Sequence, residues 1–186
     1  MKLWHYVCMV ATLYLLFTFA EWFMHRYMMH NRIDLPYLRS FHESHILHHS
    51  ITGPDMTSQC HDRMHDDLCF QPISIIIIFI ISCLVIIPLF SQWFPVYVLV
   101  GHIALFTLVE IVLWNTLHSY IHHVRYDFSP CFLRNHEIPI PIHNPYIRWV
   151  ISNHRAHHFF KGTDKGNFNV VFPGADFIMG THNQIP

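Results

Sequence analysis

The chain has 186 residues, of which 52% are apolar and only 12% charged, half the share of about 25% usual in soluble domains. Eleven basic against twelve acidic side chains leave a formal charge of −1, which excludes a broad basic face for phosphates and, with it, nucleic-acid binding. Nineteen histidines, about a tenth of the chain, are the anomaly that a function has to explain.

From Leu3 to Met24 the residues are apolar apart from His5, Thr12, Thr18 and Glu21, and at 1.5 Å per residue this run predicts a first membrane helix across a hydrocarbon core of about 30 Å. The competing reading, a signal peptide cleaved near Ala20, lacks a small-x-small site and is interrupted by Phe19. After Pro36, the residues Leu38, Phe41, His45 and His49 share one side of a predicted short helix that Gly53 and Pro54 end. Ile73 to Phe90 is an uncharged run of eighteen residues, too long for an ordinary strand. Trp93 to Leu117 follows after only Ser91 and Gln92. The two runs predict a helical hairpin with Pro88 and Pro95 beside its turn and Trp93 at an interface. Asn144 and Pro145 predict an N-cap and a first-turn proline, after which Ile147, Ile151, His154 and His158 line one side of a helix until Gly162. Cys8, Cys60, Cys69, Cys83 and Cys131 show no paired spacing, so no disulfide framework is expected. No repeat or linker divides the chain, and a single domain over 1–186 is expected.

The expected architecture is therefore an all-α integral membrane protein with three spans, at about 3–24, 73–90 and 93–117, and a helical cap. Three crossings put the segment from His25 to Gln71 and everything after His118 on one side. Arg26, Arg32, Arg39, Arg63, Arg125, Arg134, Arg148, Arg155, Lys161 and Lys165 all fall there, and only Lys2 precedes the first span. The positive-inside rule makes that side cytoplasmic.

The histidines cluster on that side: His25 and His30; His45, His48 and His49; His118, His122 and His123; His154, His157 and His158. Spacings of three and four put the imidazoles of the last three groups on common helix faces. His25 and His30 lie about 140° apart on an ideal helix, so they need a frayed helix end or serve different ions. An inward face so rich in imidazole is costly without a compensating partner, and metal ions supply one. His25, His30, His45, His48, His49, His118, His122, His154, His157 and His158 make ten candidate ligands, five for each of two ions, with His123 as an alternate to His122. In octahedral coordination one position per ion stays open. Imidazole suits iron, zinc, copper or nickel. Glu21, four residues before His25, is placed to accept its second ring N–H. Glu110, two turns before His118, is expected to orient that box or line a substrate entrance. Its span also holds His102, expected to face the bundle.

The boxes His25-Arg-Tyr-Met-Met-His30, His45-Ile-Leu-His48-His49, His118-Ser-Tyr-Ile-His122-His123 and His154-Arg-Ala-His157-His158 resemble those of the fatty acid hydroxylase and sterol desaturase superfamily. Glu21-Trp22, Asn167 and the run from Asp176 to Gly180-Thr181 resemble its flanking signatures, so the resemblance covers nearly the whole chain. Departures are Phe168 and Asn169, where many members carry tyrosine and glycine, and about thirty residues between the third and fourth boxes.

The resemblance implies two iron ions, O2 as co-substrate and hydroxylation of an unactivated C–H bond in a membrane lipid, first of all a fatty-acyl or sphingolipid chain. Sterol oxidation or desaturation, carotenoid ring hydroxylation and acyl desaturation are the alternatives within that chemistry. Zinc would fit the same imidazoles but has no redox chemistry. No His-Pro-Gly-Gly haem motif is present, so the electrons are expected from an external reductase or cytochrome b5-type donor. The expected location is the endoplasmic reticulum in a eukaryote or the inner membrane in a bacterium. From other classes, a histidine-rich metal transporter would draw on His102 and Glu110 inside the third span. A zinc hydrolase needs only three protein ligands, and ten exceed that. His61 and His65 are expected in a solvated loop, and His5, His42, His136, His143 and His182 at interface or surface positions.

Overall fold

The computed structural model describes residues 2–57, 72–122, 140–160 and 165–185. Every extended element among them is helical: α1 (Leu3–Phe23), α2 (Pro36–Ile51), α3 (Pro72–Phe90), α4 (Val96–Leu113), α5 (Pro145–Phe159) and the short α6 (Ala175–Ile178). Three stretches, Leu3–Met29, Ile73–Phe90 and Val96–Ile121, are long and apolar enough to cross a membrane.

These three helices pack together through Met9, Leu13 and Phe17 of α1, Ile78, Ile86 and Phe90 of α3, and Leu99 and Ile103 of α4. Their outward faces are equally apolar: Val7, Leu15, Ile76, Ile80, Leu84, Leu105 and Leu108 are all exposed. A helix that is hydrophobic all round has lipid as its outer solvent. Along this side of α1 runs an apolar groove of about 580 Å³ lined by Tyr6, Val7, Val10, Ala11, Tyr14 and Leu15. At the end of the bundle near the N-terminus, Trp93 packs against Trp4 and stacks on His5. His102 is tied to its own helix and to α1, through the Val98 carbonyl and the Tyr6 hydroxyl.

The hairpin differs from expectation at its turn. The third span starts at Val96, because Pro95 is fixed at φ −57° and ψ 142° and caps the helix instead of lying inside it. Ser91 to Phe94 make the turn, with the amides of Trp93 and Phe94 returning to the Phe90 carbonyl.

At their far ends both long helices widen. α1 continues through Met24–Met29, and α4 through Trp114–His118, as π-helical turns, the latter closing with a short α turn at Ser119–Ile121. At each entry one amide is shared between two carbonyls, Met24 with Ala20 and Glu21, Trp114 with Glu110 and Ile111. The first widened turn closes with the His30 amide on the His25 carbonyl at 3.3 Å, a bond across five residues. Such a turn carries His30 back over His25. The 140° separation of an ordinary helix disappears, and the two rings stack with centroids 5.4 Å apart. A widened turn, rather than a frayed end, places both residues of the first box at one point.

α2 and α5 cover this end. Each begins with proline at its first turn, and Asn144 caps α5 by accepting from the Tyr146 and Ile147 amides at 2.8 and 3.4 Å. Residues 165–174 return along α1, to which Val170, Val171 and Phe172 are hydrogen-bonded, before α6.

Candidate metal centre

Four helical segments bring all ten expected histidines to one end of the bundle, in two groups. In the first, His25, His30, His45, His49 and His157 each present a ring nitrogen, and these atoms lie within 4.8 Å of one another. In the second, His48, His122, His154 and His158 do the same. His118 stands beside the second group, its ring 5.2, 4.9 and 4.7 Å from those of His48, His122 and His154.

The boxes do not map one to one onto the groups. On α2, His45 and His49 are one turn apart and serve the first group, while His48 looks toward the second. On α5 the division is reversed, with His157 in the first group and His154 with His158 in the second. A box of the form H-x-x-H-H on a helix thus spans two adjacent sites, with positions i and i+4 in one and i+3 in the other, because i+3 and i+4 are about 100° apart around the helix.

Three rings have their tautomer set by a backbone carbonyl. Nδ1 of His25 lies 2.7 Å from the Phe168 oxygen, Nδ1 of His157 2.8 Å from Gly166, and Nδ1 of His122 3.1 Å from Met56. A carbonyl can only accept, so each Nδ1 carries the proton and each Nε2 turns its lone pair inward. There Nε2 atoms crowd together: 3.3 Å for His25 and His45, 3.0 Å for His49 and His157, and 2.8 Å for His122 and His154. His48 is wholly buried and neither of its ring nitrogens has a hydrogen-bond partner among the described residues. Converging lone pairs and an orphaned imidazole fit cations of the imidazole-binding transition metals.

Burial acts on these groups as on any cation precursor. It lowers the pKa of His30, His45, His48, His49, His154 and His158, and the neighbouring imidazoles lower it further. His157 is brought down to about 4 by burial against the opposing effect of its bond to Gly166. Neutral rings in the fold and an ordinary pKa near 6.5 when unfolded give stability that is complete above about pH 6.5. As pH falls below that value the unfolded chain takes up protons first, and stability is lost down to about pH 4 for His157. The melting temperature of metal-free protein should therefore fall steadily from pH 7 to pH 5; a flat profile would contradict the burial of neutral rings.

Glu21 is not where the sequence placed it. Instead of bonding to His25, it accepts the amides of Val170 (2.8 Å), Val171 (2.6 Å) and Phe172 (3.0 Å), with the Asn169 side chain at 3.3 Å. It reaches His25 only through the returning strand of chain whose Phe168 carbonyl takes the ring proton. Glu110 likewise has no hydrogen bond to the third box among the described residues. It is buried one turn before Trp114, whose ring lies between it and His118 in sequence and 5.2 Å from the His118 ring.

What the boxes do not show is the bonding of the returning segment, in which Asn167 and Asp176 are flanking signatures and Phe168 and Asn169 departures from the family pattern. Asp176 accepts the Phe168 and Asn169 amides, Asn153 on α5 donates to the Asn169 carbonyl, and Asn167 donates to Asn153. Asn167 sits at φ +57°, a conformation in which asparagine is favoured among side-chain-bearing residues. Gly166 packs so closely that an added Cβ would stand 2.1 Å from the Thr181 carbonyl oxygen. Lys165 was not singled out either; its Nζ lies 3.3 Å from Nδ1 of His30. Of the remaining histidines, His42 is bound to the Met29 carbonyl at 2.8 Å, His182 packs on Phe177, and His143 is exposed. The alternate His123, with His61, His65 and His136, lies outside the described residues.

A family model described as fatty acid hydroxylase matches residues 10–181. The chain belongs to the fatty acid hydroxylase family. No curated protein and no solved structure matches it significantly. The match takes in most of the first candidate span, the other two and every histidine of the two groups, so this family member is an integral membrane protein whose site is of the hydroxylase and desaturase type.

Proposed function

We propose that this family member is a membrane lipid hydroxylase that uses O2 and two histidine-bound iron ions to oxidise a fatty-acyl or sphingolipid chain. The observation that carries the reading is the pair of adjoining, buried imidazole groups at one end of a lipid-facing bundle. The first ion would be held by His25, His30, His45, His49 and His157, and the second by His48, His118, His122, His154 and His158. Iron, when bound, supplies the one-electron chemistry that zinc in the same imidazoles would lack.

The overall balance is one C–H bond, O2, two electrons and two protons giving one C–OH and water. The electrons have to come from a separate reductase or cytochrome b5-type donor. The arginines and lysines on the histidine-bearing side support a cytoplasmic site within reach of such a donor. The chain's own part is orientation and exclusion. Carbonyls of Phe168, Gly166 and Met56 hold three rings in the ligating tautomer, and the covering helices keep bulk water from the site. The apolar exterior of the bundle lets an acyl chain approach from the bilayer.

Lys165 makes the two ions unequal. An ammonium can only donate, so its contact with Nδ1 of His30 opposes the tautomer in which Nε2 turns its lone pair inward, the one His25 and His157 hold, and competes with ligation by His30. Replacing Lys165 with methionine should tighten binding at the first site by roughly tenfold, the scale of outer contacts to metal ligands. Chelator competition on purified protein checks this; weaker binding would contradict it.

The function itself is tested by expressing the protein with iron and comparing lipid extracts with those of a His48→Ala, His157→Ala variant. Hydroxylated lipid is expected only with the wild type. Equal amounts in both would overturn the reading, and a product lighter by two hydrogens would move it to desaturation.

A further inference from the structure

The second carboxyl inside the bundle has no task in the site described above. Glu110 is 1% exposed, and neither of its oxygens has a hydrogen-bond partner among the described residues. Glu21 provides the contrast: equally buried, it takes three backbone amides and a side-chain amide. Leaving a carboxyl without a partner in a low-dielectric interior is costly, and within a membrane span such a group marks a functional position.

Four hydroxyls on its own helix and the packed elements are engaged elsewhere. On its own helix, Thr107 donates to the Ile103 carbonyl and Thr116 to the Val112 carbonyl. Tyr146, which feels the charges of both Glu21 and Glu110, gives its hydroxyl to the Val171 carbonyl at 2.8 Å. Tyr14 gives its hydroxyl to the Pro173 carbonyl. No described residue donates to Glu110, which leaves its oxygens open to a ligand. Leu99, Ile103, Thr107 and Glu110 form the buried stripe of α4, so the carboxyl faces the bundle interior. Eight residues separate it from His118, roughly 12 Å by helical rise. It lies on the membrane side of the imidazole groups, the side from which a lipid has to approach.

We propose that Glu110 is a substrate-binding residue that accepts a hydrogen bond from an O–H or N–H group of the lipid, seating that group about two helical turns from the metal centre. This deepens the hydroxylase reading and rests on it: the substrate is a lipid bearing a hydrogen-bond donor, not a plain hydrocarbon chain. The anchored donor fixes how far along the chain the attacked carbon lies. Selectivity for position then comes from the separation between Glu110 and the third box.

The test uses zinc-loaded protein, which binds without turnover. Quenching of tryptophan fluorescence by a bromine-bearing C16 alcohol is compared with quenching by its methyl ether, which has the same chain but no donor. The wild type should bind the alcohol about tenfold more tightly or better. Glu110→Leu and Glu110→Met should bring that ratio to about one with two zinc ions still bound, and Glu110→Gln, which keeps an acceptor oxygen, should retain most of it. An unchanged preference in either carboxyl-free variant overturns the proposal, as does a wild type that binds both probes equally, the result expected if water alone satisfies the carboxyl. Failure of the hydroxylase reading is seen separately, as iron-loaded wild type that makes no hydroxylated lipid while the alcohol preference persists.

Discussion

Replacing His48 with alanine should leave the purified protein with one iron per chain instead of two and lower lipid hydroxylation by more than about 100-fold, beyond the loss that outer contacts alone produce. His48 is the one residue of α2 in the second group, since His45 and His49 belong to the first. Its ring lies 5.2, 4.4 and 4.9 Å from those of His118, His122 and His158, with no hydrogen-bond partner among the described residues to compensate for its burial. Alanine removes the orphaned nitrogens and a donor together, so the fold should survive while the ion leaves. His42→Ala on the same helix is the control. That ring is committed to the Met29 carbonyl, and both ions should remain. Retention of two irons by the His48 variant would contradict the division into two groups.

The largest loss of stability is expected from Glu21→Ala. The carboxylate is the acceptor for three successive backbone amides, Val170, Val171 and Phe172, all buried. Each buried amide left without a partner costs about 1–3 kcal/mol, so the substitution should cost roughly 3–6 kcal/mol once some relaxation is allowed. The damage is directed. The freed segment carries the Phe168 carbonyl that fixes the His25 tautomer, so the ion of the first group should be lost before that of the second. Glu21→Gln keeps an acceptor but turns an NH2 toward the same amides, and should fall between. Chemical denaturation followed with metal analysis at each step checks both parts. A variant as stable as the wild type, or one that loses the second ion first, would contradict the role.

Much of this was legible in the chain because periodicity and burial speak through residue type. Runs without charge marked the spans, Asn144-Pro145 marked the start of α5, and spacings of three and four announced the imidazole faces. Composition carries less about backbone geometry. Nothing in His25-Arg-Tyr-Met-Met-His30 says that the helix widens there, since the turn is imposed by packing against α2 and the returning segment. The boundary at Val96 was readable from Pro95, whose missing N–H and fixed φ make it a helix start. Glu21 was placed by sequence distance to His25, whereas its partners lie about 150 residues away and are backbone amides, which no side-chain pattern records. The asparagines at 153, 167 and 169 had a weak signal in their polarity next to apolar neighbours. Their role shows only when the segment folds back on α1 and α5.

Everything in the functional account depends on ten rings from four stretches of sequence enclosing two ions. The most direct measurement is an anomalous difference map at the iron edge from crystals of the iron-loaded protein. Two peaks are expected, one among His25, His30, His45, His49 and His157, the other among His48, His118, His122, His154 and His158. A single peak, or density away from either set of rings, would contradict it.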